Sequence, residues 1–224
     1  MVSGALGDAD DAWLEPAETR RLLLAYGIPL VPERVATSAD EAAAAAAELG
    51  YPAVVKTAEA GAHKTETGGI ALDLADDAEV RAAVERIGAP VVVQPMITGG
   101  TELLAGVWQD PMFGPLVAFG PGGIFAELIG EATFRIAPLT GVDADELVTS
   151  GKAGTLVAGF RGAPAADAES LKELLHRLSR LGEELPEVAE LDLNPVLGLS
   201  DRCLAVDARV RVRRREAVTR AKTW

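Results

Sequence analysis

The chain has 224 residues, 49% hydrophobic and 25% charged, an ordinary globular balance that excludes an intrinsically disordered protein. With 34 acidic against 21 basic residues its net charge is -13, which repels a phosphate backbone and argues against a nucleic-acid partner. A single cysteine, Cys203, excludes an internal disulfide and a cysteine-based metal site. No apolar run approaches a bilayer span and no leader-like segment opens the chain, so a cytoplasmic protein away from the membrane is expected.

In chain order, residues 1–12 are small and acidic and read as a loose terminus. Pro16 suits the first position of a helix carrying Leu22, Leu23 and Tyr26, closed by Gly27 and Pro29. Ser38 and Glu41 have capping-box spacing before an alanine-rich helix that Gly50 and Pro52 end. A strand over 53–55 runs into Lys56, and a polar loop leads to Gly68-Gly69. A strand over 70–74, a helix over 78–87 stopped by Gly88, and a short strand over 91–93 follow. Beyond Thr98-Gly99-Gly100 the texture changes. Strands are expected at 102–108 and 116–119, then Gly120-Pro121-Gly122-Gly123 and an apolar run through Ile129. Helices are expected near 143–149 and at 168–182, and two closing strands at 190–197 and 203–212. Alternating strands and helices argue an α/β (α+β) fold, with a mixed sheet because 102–119 looks like a hairpin.

Chemistry concentrates around Lys56. A strand-ending lysine usually snorkels to solvent, but here His63 follows seven residues later, beside Lys64 and before the glycine pair. Imidazole can accept a phosphoryl group, lysines can offset its charge, and Gly68-Gly69 allows backbone N–H groups to approach phosphate oxygens. The segment Gln94-Pro95-Met96-Ile97 could offer backbone groups to an adenine edge, or serve only as a linker between lobes. Gly120-Pro121-Gly122-Gly123 lacks dinucleotide-fingerprint spacing and either bends over phosphates or makes a tight corner.

Near the C-terminus, alternation puts Glu190, Asp192 and Asn194 on one strand face, and Asp207 lies on the next strand. A solvated face explains one such strand; two adjacent strands each presenting an oxygen ligand also suit Mg2+. Cys203 reads as a buried structural thiol and His176 as structural or exposed on its helix. The basic run Arg209, Arg211, Arg213, Arg214 and Arg215 reads as a solvated edge or subunit contact.

Eight segments in this order resemble the ATP-grasp family, in particular the beta subunit of ADP-forming acyl-CoA synthetases of the acetate–CoA ligase type. They are Gly27-Ile28-Pro29, Tyr51-Pro52-Ala53-Val54-Val55-Lys56, His63-Lys64-Thr65 with Gly68-Gly69, and Asp110-Pro111-Met112-Phe113-Gly114-Pro115. The others are Gly122-Gly123-Ile124-Phe125-Ala126-Glu127, Phe134-Arg135-Ile136-Ala137-Pro138-Leu139, Glu190-Leu191-Asp192-Leu193-Asn194-Pro195 and Ala205-Val206-Asp207-Ala208-Arg209. The loop from Lys56 to His63 is one residue shorter than is usual in that family.

The resemblance implies an ATP-grasp fold of two lobes around a nucleotide cleft: a small lobe at 28–97, and a larger one from 14–27 plus 98–212. Residues 1–13 and 213–224 would be loose termini. It implies ATP/ADP and Mg2+ as cofactors. Lys56, Lys64, Gly68 and Gly69 would attend the phosphates, Gln94, Pro95, Met96 and Ile97 the adenine, and Glu102 the nucleoside, with Arg135 also among the cofactor-binding residues. Asn194 and Asp207 would hold the metal. His63 would carry a phosphoryl group between Mg-ADP/ATP and a CoA-binding alpha subunit or fused domain, in a heterotetramer or fused-chain oligomer. The acyl phosphate would form on that partner. Two rival readings are a self-contained ATP-grasp carboxylate–amine ligase and a non-catalytic nucleotide-binding regulatory module.

Overall fold

A computed structural model of the chain describes residues 10–58, 68–123 and 132–214. Two antiparallel sheets organise it, each covered on one face by helices. The smaller sheet contains β2 (Arg34–Ala36), β3 (Ala53–Thr57), β4 (Ile70–Leu74) and β5 (Val91–Pro95), in spatial order β2-β5-β3-β4. Helices α2 (Ala39–Leu49) and α3 (Asp77–Ile87) cover it. Alternation along the strands decides what meets them. Ala53 and Val55 of β3 and Val91 and Val93 of β5 join Ala42, Ala43, Ala46, Val80 and Val84 in one core. Val54, Lys56, Val92 and Gln94 therefore face the other way, and all four are buried there.

Both covering helices start where side chains can satisfy free backbone donors. Ser38 Oγ accepts from the Glu41 N–H at 3.2 Å while Glu41 Oε2 accepts from the Thr37 N–H, and Asp76 Oδ1 accepts from the Glu79 N–H at 3.0 Å.

The larger sheet runs β1 (Asp11–Trp13), β11 (Ala208–Arg213), β9 (Val188–Gly198), β6 (Thr101–Asp110), β7 (Gly114–Pro121), β8 (Thr133–Ile136), with β10 (Cys203–Ala205) also on β9. One face packs on α1 (Pro16–Ala25), α4 (Gly141–Thr149), α5 (Gly151–Val157) and α6 (Ala168–Glu184). Leu103, Val107, Val117, Phe119, Leu191 and Leu193 of the sheet meet Leu171, Leu174, Leu175, Leu178 and Leu181 of α6.

The α/β (α+β) expectation holds, and the sheets differ from the expected mixed arrangement: every pairing of the named strands is antiparallel. The parallel contact among the described residues is an isolated bridge from Leu30 to Ala205. Sequence reading placed a loose terminus over 1–13, but Asp11–Trp13 forms β1 against β11. Asp11 holds Arg211 and Arg213, and the Trp13 ring lies under the Arg209 and Arg211 guanidiniums, contacts between distant residues that local composition does not signal. The other expected loose terminus, 213–224, begins within β11, at Arg213, and its residues 215–224 lie outside the described ones. The single strand expected over 203–212 is two strands, broken at Val206–Asp207. Beyond the break Arg209 and Arg211 form an ion-paired sheet face, bonding Asp192 and Glu190 on β9, while Arg215 lies outside the described residues.

Candidate functional site

The break between β10 and β11 builds a polar contact between the two sheets. Pro195 on β9 accepts the Val206 N–H but has no N–H to return, so the Val206 carbonyl is left for side chains of the smaller sheet. Lys56 Nζ donates to Val206 O at 2.9 Å and lies 3.3 Å from Asp207 Oδ1. Gln94 Nε2 donates to the same carbonyl at 3.2 Å and to Glu33 Oε2 at 2.8 Å. Glu33 in turn faces Arg20 Nη1 at 3.7 Å, and that nitrogen also donates to Val31 O at 3.1 Å. Lys56 and Gln94 are 4% and 2% exposed, so their polar heads are held by the protein rather than by water. This cluster lines a cavity with Trp13, Val92 and Arg209.

The larger sheet fixes the same turn from its other side. Asn194 N–H donates to Asp207 O at 3.2 Å, and Val206 N–H donates to Pro195 O at 3.0 Å. Asn194 of β9 and Asp207, just before β11, thus stand next to each other. Asn194 Oδ1 accepts the N–H of Gly123 at 2.9 Å, tying the glycine turn after β7 to this strand. A side chain at Gly122 would stand 2.2 Å from the Leu103 carbonyl oxygen, so the close approach requires glycine there. The Gly122 N–H donates to Glu102 O at 3.0 Å, which brings Glu102, exposed on β6, to the same glycine turn.

The amide oxygen of Asn194 and the carboxylate of Asp207 are hard oxygen donors that fit Mg2+, which takes one or two protein ligands and keeps water or phosphate for the rest. No group of three or more His, Cys, Asp or Glu side chains suited to a metal occurs among the described residues, which excludes an all-protein cage there but not such a sparse donor set.

Of the residues singled out from the sequence, the structure places Lys56, Gln94, Asn194 and Asp207 at this seam and Glu102 at the adjoining glycine turn. Gln94 differs in detail, since its side chain is engaged by Glu33 and Val206 O. Pro95, the last residue of β5, and Ile97 beyond it are half-buried, and Met96 N–H is taken by Pro52 O at 2.8 Å. Gly69 is buried and its carbonyl accepts the Thr57 N–H at 2.8 Å, whereas Gly68 is exposed at φ 69. Arg135 is not brought here. Its strand partner Val117 lies in the helix-covered core, and its guanidinium bonds Glu146 Oε2 of α4 at 2.9 Å. His63 and Lys64 lie outside the described residues.

The reading missed Glu33 and the Val206 carbonyl. A lone glutamate before a three-residue strand carries no motif, and a carbonyl carries no sequence signal at all. Cys203 is buried as expected, its Sγ donating to Ser170 O at 3.4 Å, and burial pushes its thiol pKa up. His176 is half-buried on α6.

The chain belongs to the ATP-grasp family, whose domain matches residues 5–212. It is 35% identical to the acetate–CoA ligase (ADP-forming) I subunit beta of Pyrococcus furiosus, over 90% of this chain and 93% of that one. It is 37% identical to the acetate–CoA ligase (ADP-forming) I of Archaeoglobus fulgidus, over 87% of this chain but 30% of that longer protein. Among solved structures it resembles the dinucleotide-forming acetyl-coenzyme A synthetase 1 of Ca. Korarchaeum cryptofilum. In the complex with coenzyme A, Ca-AMPCP and HgCl+ the TM-score is 0.85 at 36% identity, covering 92% of this chain and 95% of that one. A second structure of that protein holds coenzyme A and Mg-AMPPCP, with its phosphohistidine segment pointing towards the nucleotide-binding site. It matches with a TM-score of 0.81 at 38% identity and the same coverage.

Proposed function

We propose that this chain is the nucleotide-binding phosphotransfer component of an ADP-forming acyl-CoA synthetase, working with a CoA-binding alpha subunit or fused domain. The observation that carries the reading is Lys56 of the smaller sheet meeting Val206 O and Asp207 of the larger one, at 2.9 and 3.3 Å. A cation and an anion of the two sheets converge at one half-buried turn, with the amide oxygen of Asn194 beside it. Beta-subunit relatives of nearly the same length support the division of labour between two chains. The lobes are a smaller one over 28–97 and a larger one from 14–27 plus 98–212, and the setting is the cytoplasm. No helix among the described residues is long and apolar enough to cross a membrane.

In this reading Lys56 would serve a nucleotide phosphate, and Asn194 and Asp207 would hold the metal. Mg2+ when bound would offset phosphate charge. Gln94 to Ile97 border the adenine, and Glu102 lies near the nucleoside. Gly68 and Gly69 give the chain room to approach phosphate, and Lys64 adds positive charge. His63 is the carrier: its neutral imidazole nitrogen bonds phosphorus as the bond from phosphorus to the departing oxygen breaks, and the reverse step delivers the group to the next acceptor. A purely electrostatic clamp would be better made of lysine or arginine, which stay charged at neutral pH.

Incubation with γ-labelled ATP and Mg2+ should leave acid-labile label on His63. His63→Ala, assayed with the partner, should abolish acyl-CoA synthesis while keeping ADP affinity close to that of the parent. Substantial synthesis by that variant would remove the carrier role. Turnover of acid, ATP and CoA by the purified chain alone would favour a self-contained ligase.

A further inference from the structure

We propose that Gln94 is a positioning residue for Asp207, acting through the Val206 carbonyl, with Glu33 as the group that orients it. The inference rests on the metal assignment to Asp207 made above. Gln94 is 2% exposed, and its two amide hydrogens have two acceptors of different origin, Glu33 Oε2 at 2.8 Å and Val206 O at 3.2 Å. Only the amide nitrogen can serve both, because carboxylate and carbonyl are each acceptors only. Glu33 thereby selects the rotamer that presents an N–H to Val206, and the Arg20 guanidinium holds Glu33 in turn.

Val206 O and the Asp207 N–H belong to one peptide unit, which is planar, so fixing the carbonyl fixes the backbone from which the Asp207 side chain projects. Lys56 shares that carbonyl and leaves it when it turns to phosphate. Gln94 then keeps its own hydrogen bond to Val206 O. Its hydrogen bond keeps the break between β10 and β11 in place while Asp207 changes partner from ammonium to metal.

The test measures the factor by which Mg2+ tightens ADP binding, by calorimetry on the intact chain with and without the metal, alongside the melting temperature. Gln94→Glu keeps the shape but turns a carboxylate toward Glu33 and Val206 O. It should lower the melting temperature and shrink the Mg2+ factor by about tenfold, the scale of leaving one buried polar group unmatched. The double variant Gln94→Glu with Glu33→Gln re-forms the pairing between the two side chains but still denies Val206 O its donor.

Positioning predicts that the double variant regains the melting temperature and not the Mg2+ factor. Recovery of both, or an unchanged factor in Gln94→Glu, would overturn the proposal and leave Gln94 a packing residue. Should Gln94→Glu not fold, Gln94→Met, which removes the donor without adding charge, is read by the same criterion. Asp207→Ala that leaves the Mg2+ factor intact would instead remove the metal assignment and this proposal with it.

Discussion

The two sheets are covered by cores of different substance. Beneath the larger sheet lie Phe119 and the fully buried leucines of α6 and β9, whereas the smaller core is alanine and valine with Leu74 as its one buried leucine. Alanines on α2 let that helix approach α3 and the sheet closely, but they remove little apolar surface from water. A buried leucine contributes roughly 1.5–3 kcal/mol and an alanine methyl about 0.8. The larger sheet therefore holds most of the molecule's stability, and the smaller one is the unit expected to open first. Their seam is polar: Lys56 and Gln94 sit on the smaller sheet and grip the Val206–Asp207 turn of the larger.

The largest test of that contrast is Leu175→Ala, in the larger core at 0% exposure, which should cost about 3 kcal/mol in urea unfolding. A loss below about 1 kcal/mol would mean that the larger core relaxes as easily as the smaller. At the seam, Lys56→Met should weaken ADP binding about ten- to a hundredfold in calorimetry, the worth of a hydrogen bond to a charged group. An equal loss of overall stability would instead make Lys56 chiefly a clamp between sheets.

Within the smaller core, Ala43→Leu should cost about 1–3 kcal/mol by overpacking α2 against its neighbours. Hydrogen exchange should report that loss in β3 and β5 while leaving β6 and β9 protected. Matching losses in all four strands would show that the two cores unfold as one.

The smallest effect is a pH dependence. Burial raises the Cys203 thiol pKa above its unfolded value, so the folded chain holds that proton more tightly. The associated stability is fully present below the unfolded value of about 8.5 and is lost as pH rises through the folded one. Cys203→Ala should flatten the fall in stability above about pH 8.5, read from urea midpoints at successive pH values. An unchanged slope would assign the fall to other groups.

Most of this architecture was legible in the sequence because it is written in local patterns. The Ser38–Glu41 cap, the alanine helix, the alternation that turns Lys56 and Gln94 away from the smaller core, and the shared face of Glu190, Asp192 and Asn194 can all be read from spacing. What escaped was set by long-range partners. Residues 203–212 alternate smoothly, so nothing local marks Val206–Asp207 as a break; the acceptors and donors that stabilise it come from β3, β5 and β9. Arg135 was carried over with its motif, yet Glu146 on α4 and the core side of β8 claim it. Glu33 acquires its role only because folding brings it to Gln94.

The three residues of β1 also have a consequence for solubility and for how the chain can be cut. Among the described residues they are the outermost strand on that side of the larger sheet, short and pinned by Asp11 and Trp13. Without them the part of β11 that they cover, Arg211–Arg213, would present its own unsatisfied N–H and C=O groups and lengthen the edge open to another molecule's strand. A version of the protein begun after Trp13 should therefore self-associate through β11, and a fusion partner joined there would have to supply the missing hem.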